Sequence, residues 1–462
     1  MKPGYQQIYQ RYRDNITRGV LRPGDRVPAI RVLAAELKVA RKTVETAYAI
    51  LCGEGYLVSQ GARGTRVNPD LNLPASPQAA AEQPTAALPE SLITQRERGG
   101  YLRPGIPALD GFPYKKWLLL AGQATRSMRQ EEMLNPPVMG WYPLRQAIAS
   151  YLNISRGLAC TPEQVLITSG YSGSLRLILD ALAGRRDKVL FEDPGYFMGQ
   201  QLLKRIVPRL HTVPVDRAGI DTGYLLRHHA DARFAIVTPS HQSPLAVTLS
   251  LPRKQQLLEW AARSGAWIIE DDYDGEFHYT RKVLPSLKSL DRHDRVIFMG
   301  TFSKTVMPSL RLGYVVMPAS TVAAFSDCAD IVASGQPVLT QKILTAFISE
   351  GHFFRHLKKM RALYQQRRDW MIAALHEVYG DRFFTEQNDG GMHIVAFLTA
   401  GSRDREIARC WQAQQLQVNA LSEWYRGSGK RYGLVMGYNN VRSYAEAVEL
   451  LSRPKAQTLQ LF

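Results

Sequence analysis

Apolar positions in the first 67 residues recur at helical spacing. Ile8, Tyr12 and Ile16 share one face of a segment from residue 5 to 19, which Pro23 and Gly24 in LRPGDRVP then interrupt. Ile30, Leu33, Ala34 and Leu37 define a second face, and Val44, Ala47, Tyr48 and Leu51 a third. GYLVSQGARGTRV reads as two short strands about a glycine-rich turn. From 68 to 98 the chain is rich in Pro, Ala, Gln and Ser with little apolar periodicity, the composition of a flexible linker. Beyond residue 99, apolar runs (VLIT, VLFED, FAIVTP, WIIEDD, VIFMG, YVVMP) alternate with amphipathic helical stretches. That alternation predicts an α/β fold, a largely parallel sheet with helices on both faces.

At 462 residues, two or three units are expected. The formal net charge of +17 points to a polyanionic partner. Residues 1–66 carry 12 Lys and Arg against 5 acids, an excess of 7. The short link KVA between the second and third helices suits a helix-turn-helix, and the third helix presents Arg41, Lys42 and Thr43 at its N-terminal end. Arg63 and Arg66 fall on the following strand pair, a credible wing. No run approaches the ~18 apolar residues of a membrane span, and the N-terminus lacks the apolar core of a signal peptide, so a cytoplasmic chain is expected. Cys52, Cys160, Cys328 and Cys410 have no metal-ligand or CxxC spacing, which predicts buried reduced thiols and no disulfide or metal site.

The candidate chemistry lies in GTFSKTVMPSLRLGYVV, where Lys304 follows a short apolar strand, beside Ser303 and seven residues before Arg311. A lysine amine can form a Schiff base with an aldehyde, and the hydroxyls with Arg311 can hold a phosphate. In TSGYSGS a strand, a glycine turn and a helix start place the amides of Ser172 and Gly173 where an anion would bind. Tyr196, after a strand and a Pro-Gly turn, offers a ring for stacking. The strand WIIEDD ends in acids whose burial needs a compensating cation or proton.

Two resemblances organise these signals. Residues 21–65, LRPGDRVPAIRVLAAELKVARKTVETAYAILCGEGYLVSQGARGT, resemble the winged helix-turn-helix of GntR regulators. By that resemblance Arg31 and Arg41 contact DNA, supported by Arg26, Lys42, Thr43, Arg63 and Gly64; Ala40 stands where the family usually has Ser or Thr. The Lys304 segment resembles the cofactor-lysine segment of fold type I pyridoxal-phosphate (PLP) aminotransferases. The resemblance assigns Asp271 to the pyridine nitrogen and Tyr273 to the 3′ oxygen, with Asp272 left as an alternative for the nitrogen and Asp272 or Asp274 equally readable as helix-capping acids. In VTPSHQSPLAVTLS, Ser243, Leu245 and Ala246 depart from the usual Asn-Pro-Thr-Gly.

The whole chain resembles the MocR/GabR subfamily. This implies a DNA-binding domain at 1–67, a linker at 68–98 and an aminotransferase-like PLP domain at 99–462 with a smaller C-terminal α+β subdomain from roughly 345. It also implies a head-to-tail homodimer on a double-stranded DNA operator, and a regulator in which a residual transaminase half-reaction is the most that chemistry requires. Met198 replaces one carboxylate-binding arginine, and the late strand YGLVMGYNN has none within it, Arg431 only preceding it. The expected effector is therefore PLP, another B6 vitamer or an amino compound. The alternatives are an aminotransferase with an accessory DNA-binding domain, and a nonspecific nucleic-acid binder with a degenerate cofactor fold.

Overall fold

The computed structural model describes residues 3–71, 100–279, 285–333, 335–386 and 390–462. The chain divides into two units, Met1–Arg98 and Gly99–Phe462. Beyond residue 71, the expected linker lies outside the described residues.

In the first unit the helical faces foreseen in the sequence are the buried ones. Helices α1 (Tyr5–Thr17), α2 (Ile30–Glu36) and α3 (Arg41–Gly53) pack Ile8, Tyr12, Ile16, Leu33, Ala34, Val44, Ala47, Tyr48 and Leu51 into one core. A large apolar side chain contributes about 1.5–3 kcal/mol when fully buried, which fixes the three helices in a unit too small for a deeper core. The Tyr48 hydroxyl donates to the Pro28 carbonyl at 2.9 Å, so even the polar tip is satisfied. Strands β1 (Leu57–Ser59) and β2 (Thr65–Val67) pair antiparallel with Leu57 opposite Val67. Their connection includes a single 3₁₀ turn, Gly61–Arg63.

The second unit is built on an eight-stranded sheet. Its strands are β3 (Val165–Thr168), β4 (Lys188–Asp193), β5 (Arg209–Asp216), β6 (Gly219–Ile220), β7 (Phe234–Val237), β8 (Trp267–Asp272), β9 (Val296–Thr301) and β10 (Gly313–Val316). They run in the order β3-β10-β9-β8-β7-β4-β5-β6. The ladder from β5 through β4, β7 and β8 to β9 is parallel, whereas β10 is antiparallel to both neighbours and β6 antiparallel to β5. All six apolar runs are strands. Strand β5, near the edge, escaped notice because most of its positions are partly exposed and carry no clean period. One sheet face packs on the helices Tyr171–Leu182 and Val322–Val332, the other on Leu251–Ser264 and Thr222–His228.

A second, antiparallel sheet follows, with β11 (Phe383–Phe384), β12 (His393–Leu398), β13 (Asn419–Ala420) and β14 (Gly433–Gly437) in the order β11-β12-β14-β13. The long helix His352–Tyr379 and the helices Asp404–Ala413 and Tyr444–Ser452 supply its apolar cover. The four cysteines are free thiols, and all four are only partly buried, not fully buried as the sequence suggested. No described helix is long and apolar enough to cross a membrane.

Candidate functional site

The C-terminal ends of the parallel strands, where α/β sheets hold ligands, carry the predicted chemistry. After β9 the backbone turns sharply: Phe302 N–H donates to the Leu312 carbonyl (3.0 Å) and Ser303 N–H to Thr301 Oγ1 (3.2 Å). Lys304, half-buried, follows, and its Nζ donates to the Gly105 carbonyl at 2.8 Å. Gly105 has φ +71°, a conformation that favours glycine, and a Cβ there would lie 2.8 Å from Nζ, so a side chain at this position would push the amine aside. Arg311 closes the 3₁₀ turn Pro308–Leu310 in the left-handed region at φ +53° and is exposed.

Strand β8 ends in three carboxylates that the fold separates. Glu270 accepts the Leu287 and Lys288 amides (2.9 and 2.8 Å). Asp272 forms a buried ion pair with Arg156. Asp271 faces the layer of Trp267 and Ile269 and has no arginine partner among the described residues. Burial raises its carboxyl well above the ordinary range; Asp272, Glu192 and Asp274 push the same way, and Lys304 opposes them. Asp274 pairs with His241 Nδ1 at 3.1 Å. Neither Asp272 nor Asp274 caps a helix, which corrects that part of the sequence reading: both are held by side chains instead. The Tyr273 hydroxyl is buried beside Asp274 and Ser243 and has no well-formed hydrogen bond.

Gly313 pairs with both Thr168 and Thr301, which sets the end of β3 level with the end of β9. There Gly170, at φ +90°, precedes the helix Tyr171–Leu182. Ser174 N–H donates to the Gly170 carbonyl at 2.9 Å, and the amides of Tyr171, Ser172 and Gly173 precede that bond. A Cβ at Gly173 would run into Ser169 Oγ, so this turn approaches its own helix as closely as glycine permits.

Tyr196 starts the helix Phe197–Ile206, its ring 5.2 Å edge-on from Tyr171 and 6.3 Å from Trp424. Its loop is fastened on several sides. Gln242 Nε2 donates to the Pro194 carbonyl (2.7 Å) and to Glu192 (3.1 Å), while Gln200 Nε2 donates to the Gly195 and Trp424 carbonyls (2.9 and 2.7 Å). Asp193 accepts the amides of Arg426 (2.8 Å) and Gly427 (2.7 Å). Arg431 pairs with Glu386 at 2.9 Å and lies 3.6 Å over the Phe397 ring, so its guanidinium is already engaged.

In the first unit, Arg41 and Lys42 are exposed on the first turn of α3, as are Arg31 on α2 and Arg63 on the wing; Thr43 is half-buried. The exposed Arg26 packs along Gly64, where a Cβ would come within 3.1 Å of its Nη2. Arg66 is turned back, donating to the Gly24 carbonyl at 3.0 Å. Ala40, the N-cap of α3, supplies no capping side chain.

Comparison with known proteins decides the family. Residues 4–67 match the bacterial regulatory proteins of the gntR family, and residues 109–424 match the class I and II aminotransferases. The probable rhizopine catabolism regulatory protein MocR of Rhizobium meliloti is 33% identical over 448 residues, covering 95% of this chain and 90% of that protein. The chain belongs to the MocR-type GntR regulators. Another member, the HTH-type pyridoxine biosynthesis transcriptional regulator PdxR of Corynebacterium glutamicum, is 32% identical over 94% of this chain and 91% of its own length. An archaeal alanine:glyoxylate aminotransferase superposes with a TM-score of 0.73 at 22% identity over 80% of this chain and 94% of its own. A kynurenine aminotransferase from Pyrococcus horikoshii gives 0.71 at 22% over 79% and 91%. These two show the fold.

Within this MocR-type chain, the fold brings Lys304 into electrostatic reach of Asp271 and sets Tyr196 against Tyr171, the first residue of the helix that also carries Ser172 and Gly173. Sequence reasoning missed Arg156, Gly105, Gln242 and His241. Gln242 opens the altered QSPLA loop and His241 precedes it, so both could have been suspected there; Arg156 and Gly105 act across more than a hundred residues and leave no local signal.

Proposed function

We propose that this chain is a transcription regulator that binds double-stranded DNA through its winged helix and takes PLP at Lys304. The supporting observation is the split between Asp271 and Asp272. Arg156 neutralises one, leaving the other buried, without an ion-pair partner among the described residues and within electrostatic reach of Lys304. A protonated pyridine nitrogen is a cation that would compensate such a carboxylate in its ionised form.

The other residues fit the same group. The amides of Ser172 and Gly173 at a helix N-terminus, with Ser303 and Arg311, suit a phosphate; the unsatisfied Tyr273 hydroxyl suits the 3′ oxygen; Tyr196 suits the ring. When bound, the cofactor supplies an electron-withdrawing ring that stabilises negative charge on carbon next to a captured amine. The chain's own part is to present the Lys304 amine, hold a proton at the pyridine nitrogen through Asp271, and fix the ring plane through the fastened Tyr196 loop.

The effector in this reading is PLP itself, another B6 vitamer or an amino compound. Support comes from the engagement of Arg431 with Glu386 and from Met198, which leave the two expected carboxylate anchors unfilled. PdxR, named for the regulation of pyridoxine biosynthesis, points the same way. The reading includes a head-to-tail homodimer, for which the exposed Leu118, Met133 and Leu134 offer apolar surface. On DNA, Arg31, Arg41 and Lys42 meet the major groove while Arg26, Thr43, Arg63 and Gly64 support the backbone and wing contacts.

The test is a visible spectrum of the purified protein before and after borohydride, followed by mass spectrometry. An adduct on Lys304 is expected; an adduct elsewhere, or none after saturation with PLP, overturns the reading. Repeated turnover with a keto-acid acceptor would instead favour an aminotransferase with an accessory DNA-binding domain.

A further inference from the structure

Residues 101–108, near the start of the described part of the second unit, form a strap across Lys304. Its upstream end is held by backbone bonds: Tyr101 N–H to the Gln415 carbonyl (2.9 Å), Gln417 N–H to the Tyr101 carbonyl (2.7 Å) and Gly437 N–H to the Leu102 carbonyl (2.8 Å). Its downstream end is held by Ala108 N–H donating to the Tyr364 hydroxyl at 2.9 Å. Between them, the Gly105 carbonyl accepts the Lys304 amine (2.8 Å) and the Ile106 carbonyl accepts Asn439 Nδ2 (3.0 Å).

We infer that the Lys304–Gly105 bond is a latch, and that capture of an aldehyde by Lys304 releases the strap that leads back along the chain to the winged helix. This rests on the reading of Lys304 as the amine that takes PLP. In the condensation the ammonium gives one proton to solvent and its nitrogen joins the aldehyde carbon. The aldehyde oxygen leaves with the two remaining amine hydrogens as water, so the neutral imine has no N–H left for Gly105. The strap loses a charge-assisted bond at its centre, and its upstream end is continuous in sequence with the segment joining the DNA-binding domain. Gly105 is thus a positioning residue, its φ of +71° favouring glycine and a Cβ there falling 2.8 Å from Nζ, so that a side chain would displace the amine.

Hydrogen exchange on the full chain tests the latch. Lys304→Met without cofactor should speed exchange of the Tyr101, Gln417 and Gly437 amides about tenfold or more relative to the cofactor-free wild type, with β9 and β10 unchanged. PLP-loaded wild type should show the same acceleration. Equal exchange in cofactor-free Lys304→Met and wild type overturns the latch, as does unchanged or slower exchange on loading.

Transmission is tested with a duplex selected from random-sequence DNA. Cofactor-free Lys304→Met and Asn439→Ala, which loosens the strap without touching the amine, should both shift affinity in the direction that PLP shifts the wild type. Unaltered affinity in both overturns transmission. Absence of a PLP adduct in the wild type would sink the functional reading alone, because the cofactor-free comparison still decides the latch.

Discussion

The Arg156 guanidinium lies on the Asp272 carboxylate, both buried, and so leaves Asp271 as the uncompensated acid at the end of β8. Two adjacent residues on one strand point to opposite faces, and here the faces differ in kind: Asp272 is ion-paired to a guanidinium, whereas Asp271 has no ion-pair partner among the described residues and feels only the Lys304 amine at a distance. Removing the cation should therefore cost more than a surface pair would. Arg156→Met should destabilise the second unit by about 3–5 kcal/mol, the cost of a buried charge stripped of its partner. All seven tryptophans lie beyond residue 99, so tryptophan fluorescence in urea isolates this unit.

Asp271→Asn should keep the fold and weaken PLP retention about tenfold or more, since a hydrogen bond to a charged group is worth about 1.5–3 kcal/mol. Dialysis followed by absorbance measures it. Retention equal to wild type would assign the pyridine nitrogen to another group.

Ala40 leaves α3 without a side-chain cap. Ala40→Ser should stabilise the helix start by about 1 kcal/mol. Slower hydrogen exchange at the Thr43 amide, whose present acceptor is the Ala40 carbonyl at 2.9 Å, reports this.

Arg41 is exposed and paired with Glu45 at 3.3 Å, a contact that contributes little to stability. Arg41→Ala should cost about 1–3 kcal/mol of base discrimination with PLP binding unchanged. Competition between selected and scrambled duplexes, alongside the visible spectrum, checks both halves.

Burial pushes Glu192 up to about 7, against hydrogen bonds from Thr238 and Gln242 that lower it. The folded state therefore keeps a proton that the unfolded chain releases near 4.5, and stability falls as pH rises between those values. At about 1.36 kcal/mol per unit the loss is about 3 kcal/mol from this group. Glu192→Gln should flatten the decline between about pH 5 and 7.5, read from urea midpoints; Glu270 and Glu276, also raised to about 7, retain their share.

Much of the architecture was legible because local pattern and burial agree. The faces Ile8-Tyr12-Ile16 and Val44-Ala47-Tyr48-Leu51 are buried as their spacing requires, and six apolar runs became strands. Strand β5 was not legible, because its positions are mostly half-exposed and nothing in their order demands a sheet. At the site, Lys304, Asp271 and Tyr196 stood out through their immediate neighbours in the chain.

The order of chemical types along the chain determined the two-part design and the candidate amine. Only the tertiary structure decided which acid is neutralised, that Gln242 is tied to the Tyr196 loop, and that the Gly105 carbonyl holds Lys304. Those facts depend on groups far apart in sequence, Arg156 from Asp272 and Gly105 from Lys304, and the energy of a charge or a hydrogen bond depends on distance and burial in space, which no local pattern encodes.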